Sequence, residues 1–166
     1  TADILIENGY DVIIYDNLHE KTHNGEWPKY LNKKAELIKG CITDTKTLKS
    51  ALKKSSYIIH LAAEMDLNPD FKKFMDINVG GTALIYELIV KHNFQIKKIV
   101  IASSQFVYGE GQWECDNKVK FPGKLRDLQT MKNSQWNQLC PNESKEANYC
   151  INVENYNNPP NHYALS

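Results

Sequence analysis

The chain has 166 residues, 42% hydrophobic and 24% charged, with zero formal net charge. That length suits one domain that buries a core without staples. The neutral balance gives no electrostatic basis for binding nucleic acid or an anionic membrane. No apolar run approaches the ~20 residues of a membrane-spanning helix. Arg126 is the only arginine. Pyrophosphate is usually gripped by arginine forks, so such a grip is expected to lie outside this sequence. The four cysteines, Cys41, Cys115, Cys140 and Cys150, show no CxxC spacing and follow no secretory signal. They read as reduced thiols of a cytoplasmic protein. Thr1 falls inside an apparent helix and so reads as a cut.

TADILIENG, residues 1–9, has apolar Ala2, Ile4 and Leu5 and a Gly9 stop, the end of an amphipathic helix. DVIIYD (11–16) reads as a buried strand ending at Asp16. Residues 17–34 read as a loop, and AELIKG (35–40) as a second strand ended by Gly40. Thr43, Asp44 and Thr45 offer caps for a helix over TLKSALKK. YIIHLAA (57–63) is a third strand. A long helical stretch runs from about Asn68 to Asn93, and IKKIVIASS (96–104) is a fourth strand. Strands alternating with helices imply right-handed crossovers and a parallel sheet covered on both faces. From about Gln112 to Pro160 the periodicity fails. This reads as an irregular functional insertion or lid within one domain over 1–166.

In a doubly wound sheet, ligands bind at the carboxyl ends of the strands. Those ends hold Asp16, Gly40-Cys41-Ile42, His60-Leu61-Ala62-Ala63 and Ser103-Ser104. An acid such as Asp16, just past the strand after the first helix, is placed to hold the adenosine ribose hydroxyls. It favours NAD by repelling the extra phosphate of NADP. It serves equally as an ordinary loop cap. Small residues at HLAA let a backbone approach a ligand, or simply pack. Gly80 and Gly81, beside Asn78 and Thr82, cost a helix about 1 kcal/mol each. A close approach or a kink must explain them. Paired hydroxyls in SSQFVYGEG can bind a polar substrate, or form a turn. Tyr163, after Pro159 and Pro160, is unremarkable alone.

Taken in order, the strand ending at Asp16, HLAA, NVGGT, SSxxVYG and Tyr163 resemble the extended short-chain dehydrogenase/reductase family, in its NAD-dependent epimerase/dehydratase branch. The DNLH turn, NVGGTAL and the SSQFVYGEGQ run with its Cys- and Trp-bearing insertion look closest to sugar-nucleotide 4-epimerases. The resemblance implies a partial Rossmann-like doubly wound sheet, lacking its first strand and C-terminal part. It implies a cytoplasmic isomerase of nucleotide-sugar metabolism, often a homodimer. Its cofactor would be NAD, bound by Asp16, Asn17, Cys41, Ile42, Leu61, Ala62, Ala63, Asn78, Ser103 and Tyr163. Ser104 and Tyr163 would be catalytic. Epimerisation passes a hydride to NAD and returns it to the opposite face. A free tyrosine, with a pKa near 10, is a poor base, and a lysine ammonium and the nicotinamide charge would lower it. A serine would hold the developing oxyanion.

The chain departs from the family pattern in several places. None of its eight glycines forms GxxGxxG, and it stops one residue short of the lysine of YxxxK. It is therefore expected to be inactive alone. Cys41 stands where an acid contacts adenine. Gln105 and Phe106 replace the Asp-Glu of 4,6-dehydratases, which removes the pair needed to eliminate water. The cysteines and His162 are too irregularly spaced for zinc, so no metal is expected. Rival readings are a sugar-nucleotide reductase or dehydrogenase, and a non-catalytic NAD-binding or scaffold relative.

Overall fold

A computed structural model describes every residue except Asp66, Leu67 and Asn155, and His162 only in its backbone. The chain divides into two compact units, Thr1–Ala102 and Ser103–Ser166, and each is described by itself.

The first unit carries helix α1 (Ala2–Glu7), strand β1 (Ile13–Asp16), the short helix α2 (Glu20–His23), strand β2 (Glu36–Lys39), helix α3 (Thr45–Lys53) and strand β3 (Tyr57–His60). A continuous helical run follows. It comprises α4 (Phe71–Phe74), a π-helical segment (Met75–Gly80) and α5 (Gly81–His92), and strand β4 (Lys98–Ile101) comes next. The punctuation works as the side chains dictate. Gly9 takes a φ of +82° after α1, a conformation glycine adopts without steric cost. Asp44 caps α3 by accepting from the Lys46 backbone N–H at 3.0 Å and the Thr47 hydroxyl at 2.8 Å. Asn93 ends α5 in the left-handed conformation.

The strands pair in parallel, as expected, and form two pairs, β1–β2 and β3–β4. Alternate strand residues Tyr15, Ile58 and Ile99 point into a core built with Ile42, Leu48 and Leu52 and with Ile85 and Leu88 of α5. The alternation throws Leu37, Ile59 and Val100 to the other side, where they are 40%, 41% and 47% exposed. The face carrying Tyr15, Ile58 and Ile99 is covered by α3, by Ile77 of the π-helical segment and by α5.

The second unit holds a 3₁₀ turn (Gln105–Tyr108), strands β5 (Gln112–Glu114) and β6 (Lys120–Pro122), helix α6 (Leu128–Lys132), strand β7 (Asn148–Tyr149) and helix α7 (His162–Leu165). The strands form an antiparallel sheet in the order β6-β5-β7. Residues 112–160 are thus built rather than patternless; strands of two or three residues are too short to show alternation in sequence. Their core is Trp113, Cys115, Cys140 and Ala147, with Phe121 against it. Cys115 and Cys140 are joined as a disulfide with Cα atoms 5.7 Å apart, an ordinary bridging distance. The reading of four reduced thiols is corrected for these two, because the fold packs them together; Cys41 and Cys150 are free. The root of this module is stitched shut. Cys150 N–H donates to the Gln112 carbonyl at 2.8 Å, Gln112 N–H to Asn152 Oδ1 at 2.9 Å, and Asn158 N–H to the Val107 carbonyl at 2.8 Å.

Candidate active site

In the first unit the strand ends present the expected residues in turn. Asp16 closes β1, and its Oδ1 accepts from the Leu18 N–H at 2.7 Å. This Asx turn holds Leu18 at a φ of +54° with its side chain buried. The other oxygen, Oδ2, lies 3.9 Å from His23 Nε2. Asn17 Oδ1 accepts from the His19 N–H at 3.0 Å, so its side chain shapes the turn. The Asp16 side chain is 39% exposed.

Past β2, Cys41 Sγ lies 3.1 Å from Thr43 Oγ1, and the Cys41 carbonyl accepts from the Tyr15 hydroxyl at 2.7 Å. Burial pushes the Tyr15 phenol above its ordinary value. Ile42 is turned into the core and is 7% exposed, so any ligand would meet its backbone. Cys41 and Thr43 line a cleft of about 840 Å³ together with Phe71, Lys73, Asp76 and Ile77.

Past β3, the side chains of Leu61, Ala62 and Ala63 are exposed. Asn78 sits in the π-helical segment, a form that recurs at functional sites. Its Oδ1 accepts from the Glu64 N–H at 2.7 Å and its Nδ2 donates to the Glu64 carbonyl at 3.1 Å. The Glu64 carboxylate pairs with Lys73 Nζ at 2.5 Å. His60 Nε2 lies 2.9 Å from Thr82 Oγ1, which itself lies 2.6 Å from the Asn78 carbonyl. Sequence reasoning gave His60 and Thr82 no role. The available signal was a histidine at a strand end, with a threonine one helical turn after an asparagine.

The second unit holds the hydroxyl residues. Ser104 caps the 3₁₀ turn, its Oγ accepting from the Phe106 N–H at 3.2 Å. A hydroxyl used as an acceptor keeps its own proton to donate. Ser103 beside it is exposed. Tyr163 lies in α7, capped by Asn161, whose Oδ1 accepts from the Ala164 N–H at 2.9 Å. The rings of Tyr163 and Phe106 meet edge to face with centroids 5.6 Å apart, a favoured aromatic geometry. Arg126 ion-pairs with Glu110 and donates to the Trp136 carbonyl at 2.6 Å, so the sole arginine serves the module's architecture. Among the described residues no three His, Cys, Asp or Glu side chains cluster as metal ligands; the His162 side chain lies outside that description. Among the described residues, too, no helix is long and apolar enough to cross a membrane.

The sequence pattern of the family described as GDP-mannose 4,6 dehydratase matches residues 1–122. The chain belongs to this family. It is an extended short-chain dehydrogenase/reductase of the epimerase/dehydratase branch, with the Rossmann-like fold of that branch. It is 34% identical over 131 residues to a dTDP-L-rhamnose 4-epimerase of Burkholderia thailandensis, which covers 75% of this chain and 36% of that relative. Among solved structures it resembles the UDP-glucose 4-epimerase of Thermotoga maritima with UDP-glucose. The TM-score is 0.57 at 26% identity, over 74% of this chain and 40% of that one. The fold also matches the Bordetella bronchiseptica enzyme WbmG in complex with NAD and UDP. That TM-score is 0.60 at 16% identity, over 98% of this chain and 40% of WbmG. This epimerase/dehydratase chain spans about a third of the length of the curated relatives it matches.

Proposed function

We propose that this chain is the cofactor-binding part of an NAD-dependent sugar-nucleotide epimerase, a homodimer that inverts a sugar carbon of a nucleotide sugar. The observation that carries the reading is the Ser104–Tyr163 pair of the second unit: a hydroxyl donor that caps a turn, and a phenol on a capped helix beside Phe106. The first unit fits NAD by the chemistry of its strand ends. Asp16 has a carboxylate oxygen for the ribose diol. The mainly apolar cleft beside Cys41, Phe71 and Ile77 suits a planar base. Small side chains at Ala62 and Ala63 admit close approach of a ligand to the backbone. Cys41 and Thr43, rather than an acid, would face the base.

Bound NAD would supply the acceptor and donor of the hydride. Ser104 would donate its hydroxyl proton to the sugar oxygen and hold charge as it develops there. Tyr163 would take the proton of the sugar hydroxyl as the carbon is oxidised, and return it as the carbon is reduced on the opposite face. The Phe106 ring would shield one edge of the phenol from water. Gln105 and Phe106 offer no acid–base pair for eliminating water, which favours epimerisation over dehydration.

The test is to purify the full protein and assay it on UDP-hexoses and dTDP-hexoses without added cofactor. Retained NAD and conversion to the C4 epimer with no net change in NADH are expected. Stoichiometric consumption of NAD(P)H would establish the reductase instead. Absence of bound or bindable NAD would support the scaffold reading.

A further inference from the structure

The loop that follows β3 is held at both ends by one hydrogen-bond circuit, and we propose that His60 and Thr82 are the positioning residues of that circuit, setting the backbone of residues 61–64 through Asn78. The inference rests on the reading above, in which this loop meets the cofactor.

The circuit begins with one proton. The Thr82 hydroxyl has a single hydrogen and lies 2.6 Å from the Asn78 carbonyl. A carbonyl can only accept, so the Thr82 proton is committed there. His60 Nε2, 2.9 Å from the same hydroxyl oxygen, must therefore carry a hydrogen and donate it. This defines His60 as the Nε2–H tautomer. His60 is 7% exposed, and burial holds the ring below its ordinary pKa, hence neutral.

From Asn78 the circuit passes to the loop. The side-chain amide spans both backbone polar atoms of Glu64, at 2.7 Å and 3.1 Å. Lys73 fixes the Glu64 carboxylate at 2.5 Å. At the other end the His60 carbonyl accepts from the Ala102 N–H at 3.1 Å, extending the β3–β4 ladder. Leu61, Ala62 and Ala63 thus run between two anchors, and the helix that carries Asn78 and Thr82 sets the distance between them. Asn78 lies in the π-helical segment, where its amide faces Glu64 while its carbonyl meets the Thr82 hydroxyl. Asn78 so engaged acts on the cofactor by shaping this loop, and preorganised backbone needs no ordering when a ligand binds.

Two variants of the full protein test this. Thr82→Val removes the hydroxyl at nearly constant shape; Thr82→Ser restores it. In ligand-free protein, hydrogen exchange at the Glu64 amide is expected to rise about tenfold in T82V, the scale of one lost hydrogen bond, and to stay near wild type in T82S. The NAD dissociation constant by equilibrium dialysis is expected to rise by a similar factor in T82V alone. A lowered melting temperature in T82V with Glu64 exchange and NAD affinity unchanged would reduce Thr82 to a packing residue and overturn the proposal. Imidazole ¹⁵N shifts of wild-type protein, expected to report the neutral Nε2–H form, overturn it independently if they report Nδ1–H. A wild-type protein that binds no NAD would defeat the functional reading, while the Glu64 exchange comparison would still decide the circuit.

Discussion

Gly81 opens α5 directly over Ile42: a Cβ at this glycine would stand 2.6 Å from Ile42 Cγ2. Ile42 is locked in the core with Leu48, Leu52, Ile85 and Leu88 and cannot retreat. Gly80 is different, its nearest neighbour being the Met75 carbonyl at 3.4 Å. Gly81→Ala is therefore expected to destabilise by about 1–3 kcal/mol through overpacking. Gly80→Ala is expected to be neutral or to stabilise by up to ~1 kcal/mol through helix propensity. Denaturant melts of the two variants check this, and equal effects would refute the close approach as the reason for Gly81.

The disulfide between Cys115 and Cys140 spans 25 positions of sequence. Closing a loop of that length restrains the unfolded chain by about 3 kcal/mol. Both sulfur-bearing residues are buried beside Trp113 and Ala147. Reduction with dithiothreitol, or Cys115→Ala with Cys140→Ala, is expected to lower the stability of the second unit by about 2–4 kcal/mol. Faster amide exchange at Trp113 and Glu114 should follow. Equal exchange in oxidised and reduced protein would show that the β-module holds without the bond.

The alternation of strands and helices was legible because β1, β3 and β4 carry apolar runs and α3 a cap at Asp44. Asp44 and Gly9 sit where their chemistry placed them in sequence. The division of the sheet into two pairs was not legible, because local periodicity states which residues are apolar and says nothing of which edges meet. The β-module was invisible for a related reason: its core is made of residues as far apart as Trp113 and Ala147. Asp16, Asn78, Ser104 and Tyr163 were singled out in the sequence through the order of weak motifs. His60 and Thr82 were passed over, because a hydrogen bond between residues 22 apart leaves no pattern in either one's neighbourhood.

His60 gives the protein a pH dependence with a defined sign. Burial lowers its pKa below 6.5, so the folded state favours the neutral ring and the unfolded state binds the proton more readily. The stabilisation is complete above about 6.5 and is lost as pH falls through that value toward the folded pKa. His92 is also held below its ordinary value but at the surface, so a control is needed. His60→Gln keeps a side-chain donor without titrating. Wild type is expected to lose stability between about pH 7 and pH 5.5 more steeply than H60Q. Parallel slopes would show that His60 carries no such linkage.

Ser104 and Tyr163 are separable by what each holds in place. Tyr163→Phe keeps the ring that meets Phe106 edge to face and removes only the phenolic proton. Its melting temperature should match wild type while kcat of the full protein falls by about 10²–10⁴, the scale of a lost general acid–base group. Ser104→Ala removes both the proposed substrate donor and the cap on the Phe106 N–H. It should lower kcat by about 10²–10³ and also cost roughly 0.5–2 kcal/mol of stability. NAD retention should survive both changes if the cofactor is held mainly by the first unit. Turnover that persists in Y163F would remove the phenol from the reaction and direct attention to another proton acceptor.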